Sequence, residues 1–280
     1  MNTIEFEYLR RLLYDRSGLV VTKDKMYLIE NRLMPIARQH GLNSIDALVG
    51  LISRGGNDAT VSQIVEAMTT NETLFFRDGW PFERLKRSLL PDIMSLSKMP
   101  RRIRIWSAAC SSGQEPYSLA MTLAEMGPAL PAGQVEIVAT DISPAMLARA
   151  QEGWYSAFEV SRGLPEPMLK KYFTADRDGW RVKEHLKAMI EFRPYNLLED
   201  PVAAGIGLFD VIFCRNVLIY FDEPTRRRVF QSLARVLRPW GCLCLGGAET
   251  VVGISDAFRV LPGERGLFGL AAKSAMTDVA

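Results

Sequence analysis

The sequence predicts an α/β protein, a doubly wound and mostly parallel sheet preceded by an all-helical segment. Three observations predict it. Up to about residue 90, apolar residues recur at the i, i+3, i+4 spacing of helices packed on one face. From Ile103 onward, short β-branched runs alternate with helical patterns, as βαβ units do. The small residues Ala108 to Gly113 join the first such strand to the first such helix, where doubly wound sheets bind ligands. The 280 residues suffice for two modest domains. The expected division is a helical N-terminal domain with linker over 1–90 and an α/β domain over 91–280. The latter holds a small inserted β-subdomain at about 154–194.

The helical segment shows the pattern at Phe6, Leu9, Leu12 and Leu13, again from Met26 through Ile29, Leu33 and Ile36, and again from Val61 to Met68. Gly/Asn/Asp stretches at 41–44 and 54–58 separate these helices. Lys25 and Arg32 stand seven apart beside the apolar stripe, either as a solvated flank or as a docking face for an acidic partner. Thr69–Asp78 is first polar, then aromatic, then charged. Asn71 and Thr73 can donate and accept hydrogen bonds, and Arg77 carries a forked cation. The segment reads as a helix cap or as a lid whose polar groups face a ligand. Leu85, Leu89 and Ile93 carry another helix towards a basic linker, Lys98–Arg104.

Ile103 and Ile105 open a buried strand. The chain then turns and enters a helix near Pro116, tolerated there because a first-turn N–H has no intrahelical partner. Small side chains let a ligand approach the backbone, and the free first-turn N–H groups can bind it. A second apolar strand, Val135–Asp141, ends on a carboxylate, at the position that holds ribose hydroxyls. The dinucleotide fingerprint needs three spaced glycines, and this turn has only Gly113. A nucleoside without a phosphate chain therefore fits better than NAD, and S-adenosylmethionine is the common one. A βαβ unit with no ligand is the plainer alternative.

Residues 154–194 interrupt the alternation with a short helix at 164–173, a turn signal at Asp176–Gly179 and a strand pattern at 189–193. Val211–Cys214 is a buried strand whose tip carries Arg215 and Asn216, with Tyr220 close behind. Two strong polar groups at such a tip suit ligand contact or an ion-paired strand end. A helix from Pro224, a strand at 243–246 and a terminal hairpin at 257–271 complete a parallel sheet with an antiparallel edge.

Composition limits the function. Net charge is +2, so no global attraction to nucleic acid or anionic membrane is expected. Basic and acidic residues nearly balance over 1–98, against an RNA-binding stripe. The four cysteines match no zinc spacing, and with two histidines no metal site is expected. No apolar run approaches the ~20 residues of a membrane span. The amino terminus lacks a signal h-region, so a cytoplasmic location is expected.

Four stretches together resemble the bacterial chemoreceptor glutamate methyltransferases, the CheR family. They are Thr70–Arg77, Trp106–Ser118, Ala139–Ile142 and Phe213–Phe221. The likeness spans almost the whole chain, and generic methyltransferases share the sheet but not the Asn-x-Thr-x-x-x-Arg segment. The resemblance implies a Rossmann-like methyltransferase sheet, S-adenosylmethionine as donor with S-adenosylhomocysteine as product, and receptor glutamates as acceptors. It implies that Asn71, Thr73 and Arg77 contact the cofactor, that Glu115 holds its ammonium and that Asp141 holds its ribose. It further implies that Asn196 and Leu197 flank the adenine, and that Arg215 and Asn216 complete the pocket. Arg77 and Tyr220 are the expected catalytic pair. The partner implied is the cytoplasmic helical region of chemoreceptors, met by a monomer through Lys25 and Arg32. The short hairpin at 176–179 favours an enzyme independent of a receptor's C-terminal tether. The rival expectations are a methyltransferase of another signalling protein or small molecule, and a receptor-binding module that only retains the cofactor.

Overall fold

The computed structural model describes residues 3–55, 57–96, 102–130, 133–262 and 265–271. Its contacts separate two units, Met1–Asn71 with Tyr220–Thr225, and Glu72–Ile219 with Arg226–Ala280.

The first unit is helical: α1 (Thr3–Ser17), α2 (Met26–Gln39), α3 (Ile45–Ser53) and α4 (Asp58–Met68). Ser44 and Asn57 cap α3 and α4 with side-chain oxygens, satisfying amides that helix starts leave unpaired. Phe6, Leu9, Leu13, Ile29, Leu33, Leu48 and Ile64 are buried, the face that the periodicity predicts. Residues 220–225 join this unit because the Tyr14 hydroxyl donates to Asp222 (3.1 Å) and the Tyr220 carbonyl accepts from Val20 (3.2 Å). Arg32, expected to share a docking face with Lys25, is half-buried and bonded within this unit. Its guanidinium donates to the carbonyls of Met68 and Thr69, both at 2.9 Å, and so caps the carboxyl end of α4. Lys25 is exposed.

In the second unit, α5 (Trp80–Arg84) passes through a π-turn at Leu85–Leu89 into α6 (Leu90–Leu96). The contact division falls earlier than the expected boundary near 90. Phe82, Leu85, Leu90 and Ile93 pack in one core with residues of the sheet, so the unit begins at Glu72. Of the basic linker, residues 98–101 lie outside the described residues, as do residues 263–264 of the terminal hairpin.

The sheet elements follow as β1 (Ile103–Ala108), α7 (Gln114–Ala124), β2 (Val135–Asp141) and α8 (Pro144–Glu152). The insertion comprises β3 (Trp154–Ser156), α9 (Ala157–Ser161), α10 (Glu166–Tyr172), β4 (Phe173–Asp176), β5 (Gly179–Val182) and α11 (Glu184–Lys187). The chain returns through β6 (Ile190–Pro194), β7 (Phe209–Cys214), α12 (Glu223–Val236), β8 (Leu237–Leu245), β9 (Phe258–Val260) and β10 (Leu267–Leu270). The strand order is β6-β2-β1-β7-β8-β10-β9, with a separate three-stranded sheet β3-β5-β4. The first five strands in that order run parallel, β10 is antiparallel to β8 and β9 is antiparallel to β10, which gives the expected antiparallel edge. One boundary differs. The strand at the end of the expected 154–194 insertion is β6, which pairs with β2 in the main sheet (Ile137 opposite Ile190). The chain moves outward from β1 to β2 and β6, then returns to β7 on the other side of β1. The strand order therefore reverses between β1 and β7, where open α/β sheets bind ligands.

Candidate cofactor-binding site

The turn after β1 bends through Ala109 (φ 58°) and Ser111 (φ 50°) to Gly113 (φ 95°), which precedes α7. A Cβ at 113 would lie 2.8 Å from that of Ala150 and 2.9 Å from the Tyr155 hydroxyl, so the position requires glycine for space as well as for φ. Tyr155, fully buried on β3, donates to the Ser112 carbonyl at 2.7 Å and ties the insertion to this turn. Asp141 closes the other side. One carboxylate oxygen accepts the Ser111 amide at 2.7 Å and the other the Ser143 amide at 2.9 Å. Its carbonyl accepts the amide of Tyr195 (3.0 Å), which brings Asn196 and buried Leu197 alongside.

Glu115, in the first turn of α7, accepts the Ser107 hydroxyl (2.8 Å) and Arg215 (3.0 Å). Arg215 emerges from β7 into a site where its side chain is 1% exposed. Its second terminal nitrogen donates to the Arg77 carbonyl (2.9 Å) and to Asp78 (2.6 Å). Burial opposes the guanidinium charge, but Glu115 foremost outweighs it, and the pKa stands above its ordinary value. The Phe76 amide donates to Ser118 on α7 at 2.9 Å, so the stretch after Thr73 is held at both ends. The Arg77 side chain itself donates to the Glu72 carbonyl at 3.2 Å. The Arg162 guanidinium beside Glu72 holds that carboxyl below the usual carboxylate range.

Of the expected site residues, Arg77, Glu115, Asp141, Asn196, Leu197, Arg215 and Asn216 thus lie on segments that hydrogen bonds or chain continuity join at the carboxyl ends of β1, β2, β6 and β7. Thr73 is half-buried in the same stretch as Arg77. Asn71 and Tyr220 belong to the first unit. Sequence reasoning missed Asp78, Tyr155 and Glu249. Glu249 follows β8, and its carboxylate gathers the amides of Asn216, Val217, Leu218 and Gly246 at 2.7–3.0 Å. An acid just beyond a strand's carboxyl end, on the edge where ligands bind, was a usable signal.

The donor set fits an adenosyl ligand bearing a sulfonium. Glu115, with the Ser107 hydroxyl and Arg215 on its two oxygens, can accept a further donor such as an ammonium group. Asp141, Glu115 and Asp78 outnumber Arg215, a balance that favours a cationic ligand over a pyrophosphate. Arg215 Nε is buried without a hydrogen-bond partner. Among the described residues, no group of three or more His, Cys, Asp or Glu could hold a metal ion.

Fold and site together define a methyltransferase of the S-adenosylmethionine-binding class. Residues 71–267 match the family described as "CheR methyltransferase, SAM binding domain", and residues 4–69 match "CheR methyltransferase, all-alpha domain". The chain belongs to the CheR methyltransferase family. It is 42% identical over 264 residues to "Chemotaxis protein methyltransferase 1" of Pseudomonas aeruginosa, covering 92% of this chain and 94% of that one. It is 39% identical to "Chemotaxis protein methyltransferase Cher2" of Pseudomonas putida, with the same coverage. To "Chemotaxis protein methyltransferase" of Vibrio anguillarum it is 41% identical, over 92% of this chain and 93% of that one.

Proposed function

We propose that the protein transfers the methyl group of S-adenosylmethionine to glutamate side chains of chemoreceptors, giving methyl esters in sensory adaptation. The observation that carries this reading is the Glu115–Arg215–Asp78 arrangement beside Asp141 at the switch point of the sheet. The names of the relatives support chemotaxis as the setting. When bound, S-adenosylmethionine supplies a methyl group on a positively charged sulfur, open to in-line displacement.

In this reading Glu115 holds the ammonium, Asp141 holds the ribose, Asn196 and Leu197 flank the adenine, and Arg215 and Asn216 complete the pocket. Asn71, Thr73 and Arg77 contribute from the linker. A glutamate acceptor, with a pKa near ~4.3, is already ionised at neutral pH and requires no base. The histidines support this by their placement: His185 lies against Tyr172 in the insertion, and His40 meets Thr60 in the first unit. Charge disappears as carboxylate and sulfonium become ester and thioether, so a dry, well-aligned pocket accelerates the step. Arg77 positions a carboxylate and Tyr220 orients the acceptor through its hydroxyl. Tight pairing of Arg77 with the nucleophile would stabilise the ground state and slow the reaction, so its role is placement.

The acceptor is the helical cytoplasmic region of a receptor, met by a monomeric, cytoplasmic enzyme on the face bearing Lys25. The two-residue turn between β4 and β5, Arg177–Asp178, supports docking without a peptide tether. The test is transfer of labelled methyl from S-adenosylmethionine to receptor cytoplasmic domains. Label released by mild base is expected, as an ester requires. Base-stable label, or no transfer to any receptor, would overturn the proposal.

A further inference from the structure

We propose that Glu249 is a positioning residue, whose carboxylate holds the Arg215–Asn216 turn in the shape that receives the adenosyl ligand. The inference rests on the cofactor reading above and adds to it a residue with no direct contact to the ligand.

Four backbone N–H groups converge on this one side chain. Asn216 (2.7 Å) and Gly246 (2.8 Å) donate to one oxygen, and Val217 (3.0 Å) and Leu218 (2.8 Å) to the other. A carboxylate offers about four acceptor sites, so protein donors fill this one. Glu249 therefore has no capacity left for a ligand and acts through the turn that it organises. That turn does not hold itself. Asn216 sits at φ 59°, a left-handed conformation that asparagine tolerates better than most residues but that is not its only option, so the bonds around it fix which one it keeps. Three consecutive amides, of residues 216–218, point to the same side and would repel one another without an anion between them. Gly246 allows the approach. A Cβ there would lie 2.7 Å from Glu249 Oε2 and 3.0 Å from the Asn216 amide nitrogen. Its φ is not in the left-handed region, so it is the closeness that favours glycine: a methyl group there would displace the Glu249 carboxylate and the Asn216 side chain. The end of β8 and the tip of β7 are thus joined around a single negative charge, and Arg215 and Asn216 stand on that joint.

The chemistry predicts which variants fail. Glu249→Gln has nearly the same shape, but only its oxygen accepts. Its NH2 group faces two backbone N–H groups that then lack partners. Gly246→Ala keeps the charge and forces the joint apart.

The experiment is isothermal titration of the full-length protein with S-adenosylhomocysteine. Stoichiometry reports the folded fraction, and the dissociation constant reports the shape of the site. Val229→Ala, a buried large-to-small change on α12, serves as a control for lost stability alone. Glu249→Gln and Gly246→Ala should each weaken binding about tenfold or more, equivalent to about 1.4 kcal/mol. Val229→Ala should lower the melting temperature and leave the dissociation constant unchanged. Wild-type affinity in both Glu249→Gln and Gly246→Ala, with only stoichiometry or melting temperature reduced, would overturn the inference. A wild-type protein that does not bind S-adenosylhomocysteine would overturn the cofactor reading, and this inference with it.

Discussion

Arg215→Met removes the cation around which the site is assembled while leaving an apolar stem of similar size. The Arg215 side chain is 1% exposed and donates to Glu115 (3.0 Å), Asp78 (2.6 Å) and the Arg77 carbonyl (2.9 Å). Removing one member of a buried ion pair leaves the other charge unpaired and costs about 3–5 kcal/mol. Three features reduce that figure. Glu115 keeps the Ser107 hydroxyl at 2.8 Å, and Asp78, 40% exposed, turns to water. The loss of Nε, buried without a partner, also returns some desolvation energy. The expected cost is therefore the lower end, about 3 kcal/mol. At about 2–4 °C per kcal/mol for a domain of this size, the melting temperature should fall by roughly 6–12 °C. The Arg77–Asp78 turn loses its anchor in the same step, so affinity for S-adenosylhomocysteine should fall as well. Thermal unfolding by circular dichroism, paired with calorimetric titration, measures both. A variant that melts within about 2 °C of the wild type would refute the premise that this charge is buried and paired.

Two further predictions concern buried polar and thiol groups. Asp141→Asn keeps the shape but turns an NH2 group towards either the Ser111 or the Ser143 amide. One unpaired buried N–H costs about 1–3 kcal/mol. Reduced stability and weaker ligand binding are expected together, and unchanged values in thermal melts and calorimetry would count against the assignment. Burial raises the thiols of Cys110, Cys214 and Cys244 well above their ordinary value, and that of Cys242 to about 12. Folded values above unfolded ones mean that this stability is complete below the unfolded pKa near 9. It is then lost as pH rises towards the folded values. Each thiol should cost up to ~1.4 kcal/mol per pH unit in that window. Cys242→Ala should flatten the fall of urea-derived stability between pH 9 and 11, and an unchanged slope would contradict the burial argument.

The sequence made the sheet legible because buried parallel strands and amphipathic helices write different periods. Ile103–Ala108, Val135–Asp141 and Val211–Cys214 are found as strands where the apolar runs lie. What it hid was lateral placement. Met189–Arg193 reads as a strand, but nothing in five residues says whether it pairs with its neighbours in the chain or with β2 far back along it. Periodicity likewise hid the allegiance of Trp80–Leu96, because the apolar stripe of a helix does not name the surface that it covers. The polar tips of β2 and β7 were visible as Asp141, Arg215 and Asn216. Their braces were not, because Glu249 and Tyr155 act across 33 and 43 residues of chain separation. Arg32 adds another case: its place beside an apolar stripe gave no sign of its bonds to the carbonyls of Met68 and Thr69, which lie more than thirty residues on.

Among the described residues, five of the six non-glycine residues at positive φ fall in three segments of the site: Phe76 and Asp78, Ala109 and Ser111, and Asn216. Left-handed residues turn successive backbone N–H groups to one side and create a concavity for an anion. Two of these concavities are occupied by carboxylates of the chain itself. Asp141 takes the Ser111 amide, and Glu249 takes those of Asn216, Val217 and Leu218. The strain stored in the backbone is thus offset by fixed charges, and the ligand meets a surface already set before binding. Loop amides in contact with solvent exchange their hydrogens quickly, whereas amides bonded to a fixed carboxylate do not. Hydrogen exchange of the ligand-free protein should show Ser111, Asn216, Val217 and Leu218 protected, although none belongs to a strand. Glu249→Gln should release one of the two amide pairs, either Asn216 with Gly246 or Val217 with Leu218, and leave Ser111 protected. If those amides exchange as fast as an unstructured chain in the wild type, the site forms only with its ligand, and the argument for an edge set in advance is wrong.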